Sequence, residues 1–181
     1  MDDALKSVSL HTMITLDDLS KEELKQLVEI YARNIYALDG VWFQSIEKAE
    51  GMDAAMLHDR NVWRRFTETE AWRIKNLLKL PEHAGLDGLE KALSLRFSAL
   101  ANPAVEILRE PNALIYRVVD CRVQTARKGK GMPYHPCKSV GIIEHEFFAK
   151  VIDSRTQCET LSCYPDVTDE TCACAWKFTI S

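Results

Sequence analysis

The feature that most constrains this chain is a change of period near its middle. From Leu24, apolar residues recur at alternating steps of four and three, through Val28, Tyr31, Ile35, Leu38 and Trp42 to Ile46. That spacing keeps one face of a helix apolar. Beyond Pro103 the pattern gives way to the runs "AVEIL" and "ALIYRVVDCRVQ", whose β-branched and aromatic content is that of strands. A helical layer is therefore followed by a sheet.

Local signals divide each half. Ser20 followed by Glu23 is a capping box for a first helix that runs through Gly40, where a kink is expected, to Gly51, a natural left-handed cap. Asp53 is placed to cap a second helix ending at Leu80 before Pro81, and Asp87 in "LDGLE" to cap a third, with Leu89, Leu93, Phe97 and Leu100 inward. In the second half "REPN" is a turn between two strands, and "ARKGKGMPYHP" is a polar loop. "CKSVGIIEHEFFAKVID" has helical spacing with Val140, Ile143, Phe147 and Val151 on one side, and "TQCETLSC" and "TCACAWKFTI" are strands around "YPDVTDE". The expectation is one α+β domain over residues 1–181, with a helical layer at 20–100 packed on a four-stranded antiparallel sheet of β-β-α-β-β order at 103–181.

Bulk composition narrows the partners. A hydrophobic content of 46% supports one substantial core, and a net charge of −4 offers no broad positive field for a phosphate backbone. Nucleic acid is not an expected partner. No apolar run reaches the length of a membrane span, and the first residues lack a basic start and cleavage pattern, so a cytoplasmic protein without a membrane partner is expected.

The residues that could carry chemistry are mostly sulfur. All six cysteines, from Cys121 to Cys174, lie in the second half, and in a reducing compartment such thiols are core residues, metal ligands or nucleophiles. Cys172 and Cys174 alternate with Trp176 and Phe178, so a shared buried face is the simplest expectation. Cys137, Cys163 and Cys174, with His135 from "HPC", form a candidate zinc set. Cys137 also starts a helix, where amides and dipole favour a thiolate, and it follows Arg127, Lys128 and Lys130; as a nucleophile it would need His135 or His145 as base.

Carboxylates give a second candidate centre. On the second helix Met56, Asp59, Trp63, Phe66, Glu70 and Leu77 share one side, which puts Asp59 and Glu70 among apolar groups. Glu47 from the first helix would join them in an acidic pocket fit for proton transfer or a hard metal; salt bridges to Arg64 and Arg73 are the structural alternative. Arg117, between Ile115 and Val119 on one strand face, needs a carboxylate partner.

Three stretches together, "DGVWFQSIEKAEGMDAAMLHDRNVW", "CKSVGIIEHEFFAKVID" and "CYPDVTDETCACAWKF", resemble an uncharacterised family of prokaryotic cytosolic proteins. The chain is more distantly similar to the L-2-amino-thiazoline-4-carboxylic acid hydrolase family. Its last part, with Glu159, Cys163, Cys174, Trp176 and Phe178, resembles the end of the 4-vinyl reductase domain, a small-molecule-binding module. The first resemblance marks Asp39, Gly40, Trp42, Glu47, Gly51, Asp59, Trp63, Cys137, Gly141, Cys163 and Cys174 as signature positions. The hydrolase resemblance implies cleavage of a cyclic carbon–nitrogen bond by a cysteine or a metal-bound water, with Glu47 or Asp59 carrying the proton. The reductase-domain resemblance implies a pocket whose zinc or ligand contacts are Cys137, Cys163 and Cys174. The expected functions are thus a small-molecule or zinc-binding protein, a hydrolase, or a homodimer joined through the long first helix.

Overall fold

The structure is a computed structural model that describes residues 13–181. After a 3-10 turn at Leu16–Asp18, the helical half contains α1 (Lys21–Glu50), α2 (Met52–Leu77), α3 (Gly85–Ser94) and α4 (Phe97–Ala101). The second half runs β1 (Ala104–Glu110), β2 (Ala113–Asp120), α5 (Arg122–Gly129), α6 (Lys138–Ile152), β3 (Thr156–Cys163) and β4 (Cys174–Ile180). The fold is α+β, with the four strands forming one antiparallel sheet in the order β1-β2-β4-β3.

The capping box that opens α1 is formed: the Ser20 hydroxyl accepts from the Glu23 amide, and the Glu23 carboxylate accepts from the Ser20 amide at 2.8 Å. Gly51 ends α1 and begins α2 in one residue at φ 89°, a conformation open to glycine. With so tight a turn α2 folds straight back along α1. Asp53 therefore lies inside the first turn of α2 rather than capping it, and Asp87 likewise lies inside α3.

Two apolar clusters hold the layers together. Leu114, Tyr116, Trp176 and Phe178 of the sheet pack against Leu89 and Leu93 of α3 and Phe148 and Ile152 of α6. The second cluster, with Phe43, Met56, Trp63 and Phe97, joins α1, α2 and α4. Gly141 sets the distance of α6 from the sheet: a Cβ there would lie 2.6 Å from the Trp176 ring. Only a residue without a side chain allows that approach.

Several expectations need correction. "RVQTARKG" is a helix, α5, not the end of a strand and a loop; the strand ends at Asp120, where the sheet partner β4 has run out. Helix α6 buries Val140, Gly141, His145, Phe148, Ala149 and Ile152, a face rotated from the expected one, because it lies against both the sheet and α2. Cys172 precedes the strand, and its thiol donates to Asp169 Oδ2 at 3.5 Å, so the turn removes it from the Trp176 face. Arg117 finds Glu106 at 2.6 Å and Asp169 at 3.1 Å. The apolar stripe of α1 is not the buried one: Ala32 and Phe43 face the core, whereas Leu38 and Trp42 are 72% and 64% exposed.

Candidate active site

Between α1, α2, α6 and the sheet lies a cavity of about 430 Å³. Its lining includes the aromatic rings of Phe43, Trp63, Tyr116 and Trp176, and it receives the polar groups of Asp39, Asp59, His135, Cys137 and Glu144. A few polar groups in an apolar concavity are the usual make-up of a small-molecule site.

The segment leading into α6 is held by Gln124 of α5. Its side-chain oxygen accepts from the His135 amide at 3.0 Å, and its Nε2 donates to His135 O at 2.8 Å and to Cys137 Sγ at 3.4 Å. The Cys137 amide also donates to His135 O at 2.8 Å, so both side chains turn into the cavity from one tight bend. From α2, Asp59 Oδ2 reaches His135 Nε2 at 3.2 Å, and Phe43 lies edge-on to the imidazole at 4.7 Å. Cys163, at the end of β3, is fully buried 3.5 Å from the Cys137 sulfur and pairs in register with Cys174 of β4.

These contacts determine the charge states. Hydrogen bonding from Cys163 lowers the Cys137 thiol to about 5, against the opposing effect of burial and with further help from His135 and Gln124. Burial acts to lower His135, but the Asp59 carboxylate and Cys137 outweigh it and hold the imidazolium up at about 9. At neutral pH the pair is thiolate and imidazolium. The Cys163 thiol, its proton held by Cys137 and by Cys174, is pushed well above the ordinary range. Of the two sulfurs, Cys137 is therefore the one that favours the thiolate and Cys163 the one that keeps its proton.

The carboxyls near the pair differ in their surroundings. Burial, reinforced by the charge of Asp59, raises Asp39 to about 7, near neutrality. Glu144 is raised by burial despite Arg96, to which it is bonded at 2.7 Å. Glu47, expected in an acidic pocket with Asp59 and Glu70, is instead gripped by both Arg127 nitrogens at 2.9 and 2.8 Å, and that bonding lowers its pKa. Arg127 in turn donates to Pro133 O at 2.6 Å, so Glu47 acts by anchoring the segment that carries His135. Glu70 binds Arg96 at 3.1 Å and the Phe97 amide at 2.8 Å. The acidic pocket is therefore Asp39, Asp59 and Glu144.

Of the expected residues, Cys137, His135, Asp59, Cys163 and Cys174 line the cavity together. His145 lines it as well, but it stacks on Trp176 at 4.5 Å, donates Nδ1–H to Gly141 O at 2.8 Å, and is kept neutral by burial and by Arg96. His135, whose charge bears on the Cys137 thiol, is the histidine left to act with it. Among the described residues, no group of three or more His, Cys, Asp or Glu side chains is arranged to hold a metal ion. Cys163 stands between the other two sulfurs of the expected set, 3.5 Å from Cys137 and in register with Cys174. Gln124 carries no signal in the sequence, where it stood at the end of an expected strand; Asp39 was marked only by resemblance.

Residues 16–180 match the model of a family of unknown function, DUF6125. The chain belongs to that family. No curated protein and no solved structure shows a significant match. Among the described residues, no helix is long and apolar enough to cross a membrane. The family match spans both halves of the fold, and with them every residue of the cavity just described.

Proposed function

We propose that the protein binds a small organic molecule in this cavity and hydrolyses a carbon–nitrogen bond in it, with Cys137 as nucleophile. The observation that carries the reading is the Cys137–His135–Asp59 constellation, with Asp59 3.2 Å from the imidazole, set in the wall of a cavity of about 430 Å³. A thiolate beside an imidazolium that a carboxylate orients is the arrangement that covalent catalysis at an acyl-type carbon requires. The distant similarity to a thiazoline-carboxylate hydrolase family points to the same bond class.

In the first step the Cys137 thiolate attacks the electrophilic carbon. A carbon–sulfur bond forms, the carbon–nitrogen bond breaks, and His135 gives its proton to the leaving nitrogen. Water then attacks the thioester-type intermediate while His135 takes a proton from it, and departure of the product regenerates thiolate and imidazolium. Asp59 keeps the imidazole oriented through both steps, and the aromatic walls limit the water that reaches the thiolate.

The test is turnover of a panel of thiazoline carboxylates, small cyclic amides and amidines, with intact-mass analysis of the quenched protein. Turnover that Cys137→Ala abolishes without changing the melting temperature, and an adduct on Cys137 in the parent chain, are expected. Turnover unchanged in Cys137→Ala, or the absence of an adduct with every ring tested, would refute the assignment.

A further inference from the structure

The outward face of α1 plays no part in the cavity chemistry, yet it exposes a run of large apolar side chains. Val28, Tyr31, Leu38, Val41 and Trp42 are 51%, 62%, 72%, 69% and 64% exposed. Leu27 is half-buried beside them. At 3.6 residues per turn these side chains lie on one side of the helix. Of the four charged residues between Leu24 and Ile46, Lys25, Glu29 and Arg33 fall on other sides, and Asp39 lies at the edge of the face and lines the cavity. The result is an uncharged stripe about 30 Å long at 1.5 Å per residue. Exposed apolar stripes of this extent mark contacts between macromolecules.

We propose that this face binds a second copy of the chain through an antiparallel α1–α1 pair. Two properties of the stripe select that occupant. Its positions, 27, 31, 34, 38, 41 and 45, are spaced four, three, four, three, four, which reads the same in both directions. An antiparallel copy therefore sets Leu27 against Ser45, Tyr31 against Val41 and Asn34 against Leu38, with every position used twice. The ends of the stripe are also of opposite charge. Exposed Asp17, Asp18, Glu22 and Glu23 outnumber exposed Lys21 and Lys25 at its start, and exposed Lys48 and Lys130, the latter bonded to Gln44 at 3.2 Å, outnumber exposed Glu50 near its end. An antiparallel pair brings acidic end to basic end and opposes the helix dipoles, whereas a parallel pair would place like charges together. Tyr and Trp, the residues that most often dominate interface energies, are both in the seam.

The pairing has a consequence for the site. Val41 belongs both to the stripe and to the lining of the cavity. Antiparallel pairing sets the partner's Tyr31 over Val41, so the second copy narrows the cavity's rim.

Sedimentation velocity of the full chain from low to high micromolar concentration provides the test. A dimer is expected, and Leu38→Glu, at a position already exposed, should weaken it at least tenfold while leaving the circular dichroism spectrum unchanged. Cysteine cross-linking reads the orientation independently. Leu27→Cys mixed with Ser45→Cys should cross-link well above the background of the parent chain, and Leu27→Cys alone should not. A monomer at all concentrations, whether the face is free or covered by residues 1–12 or another partner, overturns the proposal. So does a Leu38→Glu dimer of parent affinity, or efficient cross-linking of Leu27→Cys to itself.

Discussion

Alkylation of Cys137 by iodoacetamide as a function of pH tests the charge assignment directly, and the magnitudes identify the pH at which to look. With Cys137 near pKa 5, about three quarters of it is thiolate at pH 5.5, against about 0.1% of an ordinary thiol of pKa about 8.5. That is a gain of about 760-fold in reactive form. A lower pKa also makes the thiolate intrinsically less nucleophilic, with a Brønsted slope of about 0.45, so a drop of about 3.5 units costs about 40-fold. The net advantage at pH 5.5 is about 20-fold. At pH 7 the gain in thiolate is only about 30-fold and the two effects nearly cancel. Measured at pH 7 alone, Cys137 would look ordinary.

The expected profile therefore has its midpoint near pH 5, and site mapping by mass spectrometry should place the acid-side reaction on Cys137. Asp59→Asn removes the carboxylate 3.2 Å from His135 and should move the midpoint up by about 1 to 2 units. His135→Ala should move it further. A midpoint near the value of a free thiol, or one that neither substitution moves, would show that no thiolate–imidazolium pair exists.

The same pair makes stability depend on pH. The thiol pKa is depressed by folding, so its contribution is present above the unfolded value and lost as pH falls through about 5. The imidazole pKa is raised, so its contribution is complete below about 6.5 and lost as pH rises through about 9; melting curves of the parent should fall off on both sides, and those of Cys137→Ala less on the acid side. Gly141→Ala forces a methyl to within 2.6 Å of the Trp176 ring and should cost about 1 to 3 kcal/mol in urea denaturation. Glu70→Gln leaves buried Arg96 with Glu144 as its remaining carboxylate and should cost about 1 to 3 kcal/mol by the same measurement.

Much of the architecture was legible because it is written in local terms. The Ser20–Glu23 box, the Gly51 break and the turn between β1 and β2 depend on a few adjacent residues, and each formed where expected. The reading failed where a local pattern had two outlets. "RVQTARKG" continues an apolar run yet has no strand to pair with, so it becomes α5. The stripe of α1 was expected to be the buried face, but the chain's own core takes the neighbouring face with Ala32 and Phe43. Periodicity shows that a face is apolar and cannot show what it meets.

The candidate site divides in the same way. The sequence by itself determined that Cys137 would stand at the start of a helix two residues after a histidine, and that Asp59 would lie on the apolar side of α2. Only the tertiary structure decided that Asp59 meets His135, that Glu47 is taken by Arg127, that Gln124 clamps the bend and that Cys163 lies 3.5 Å from Cys137. The reason is physical: a carboxylate or thiol removed from water must find a partner, and the candidates far along the chain are alike in type until packing fixes which one lies within hydrogen-bond reach.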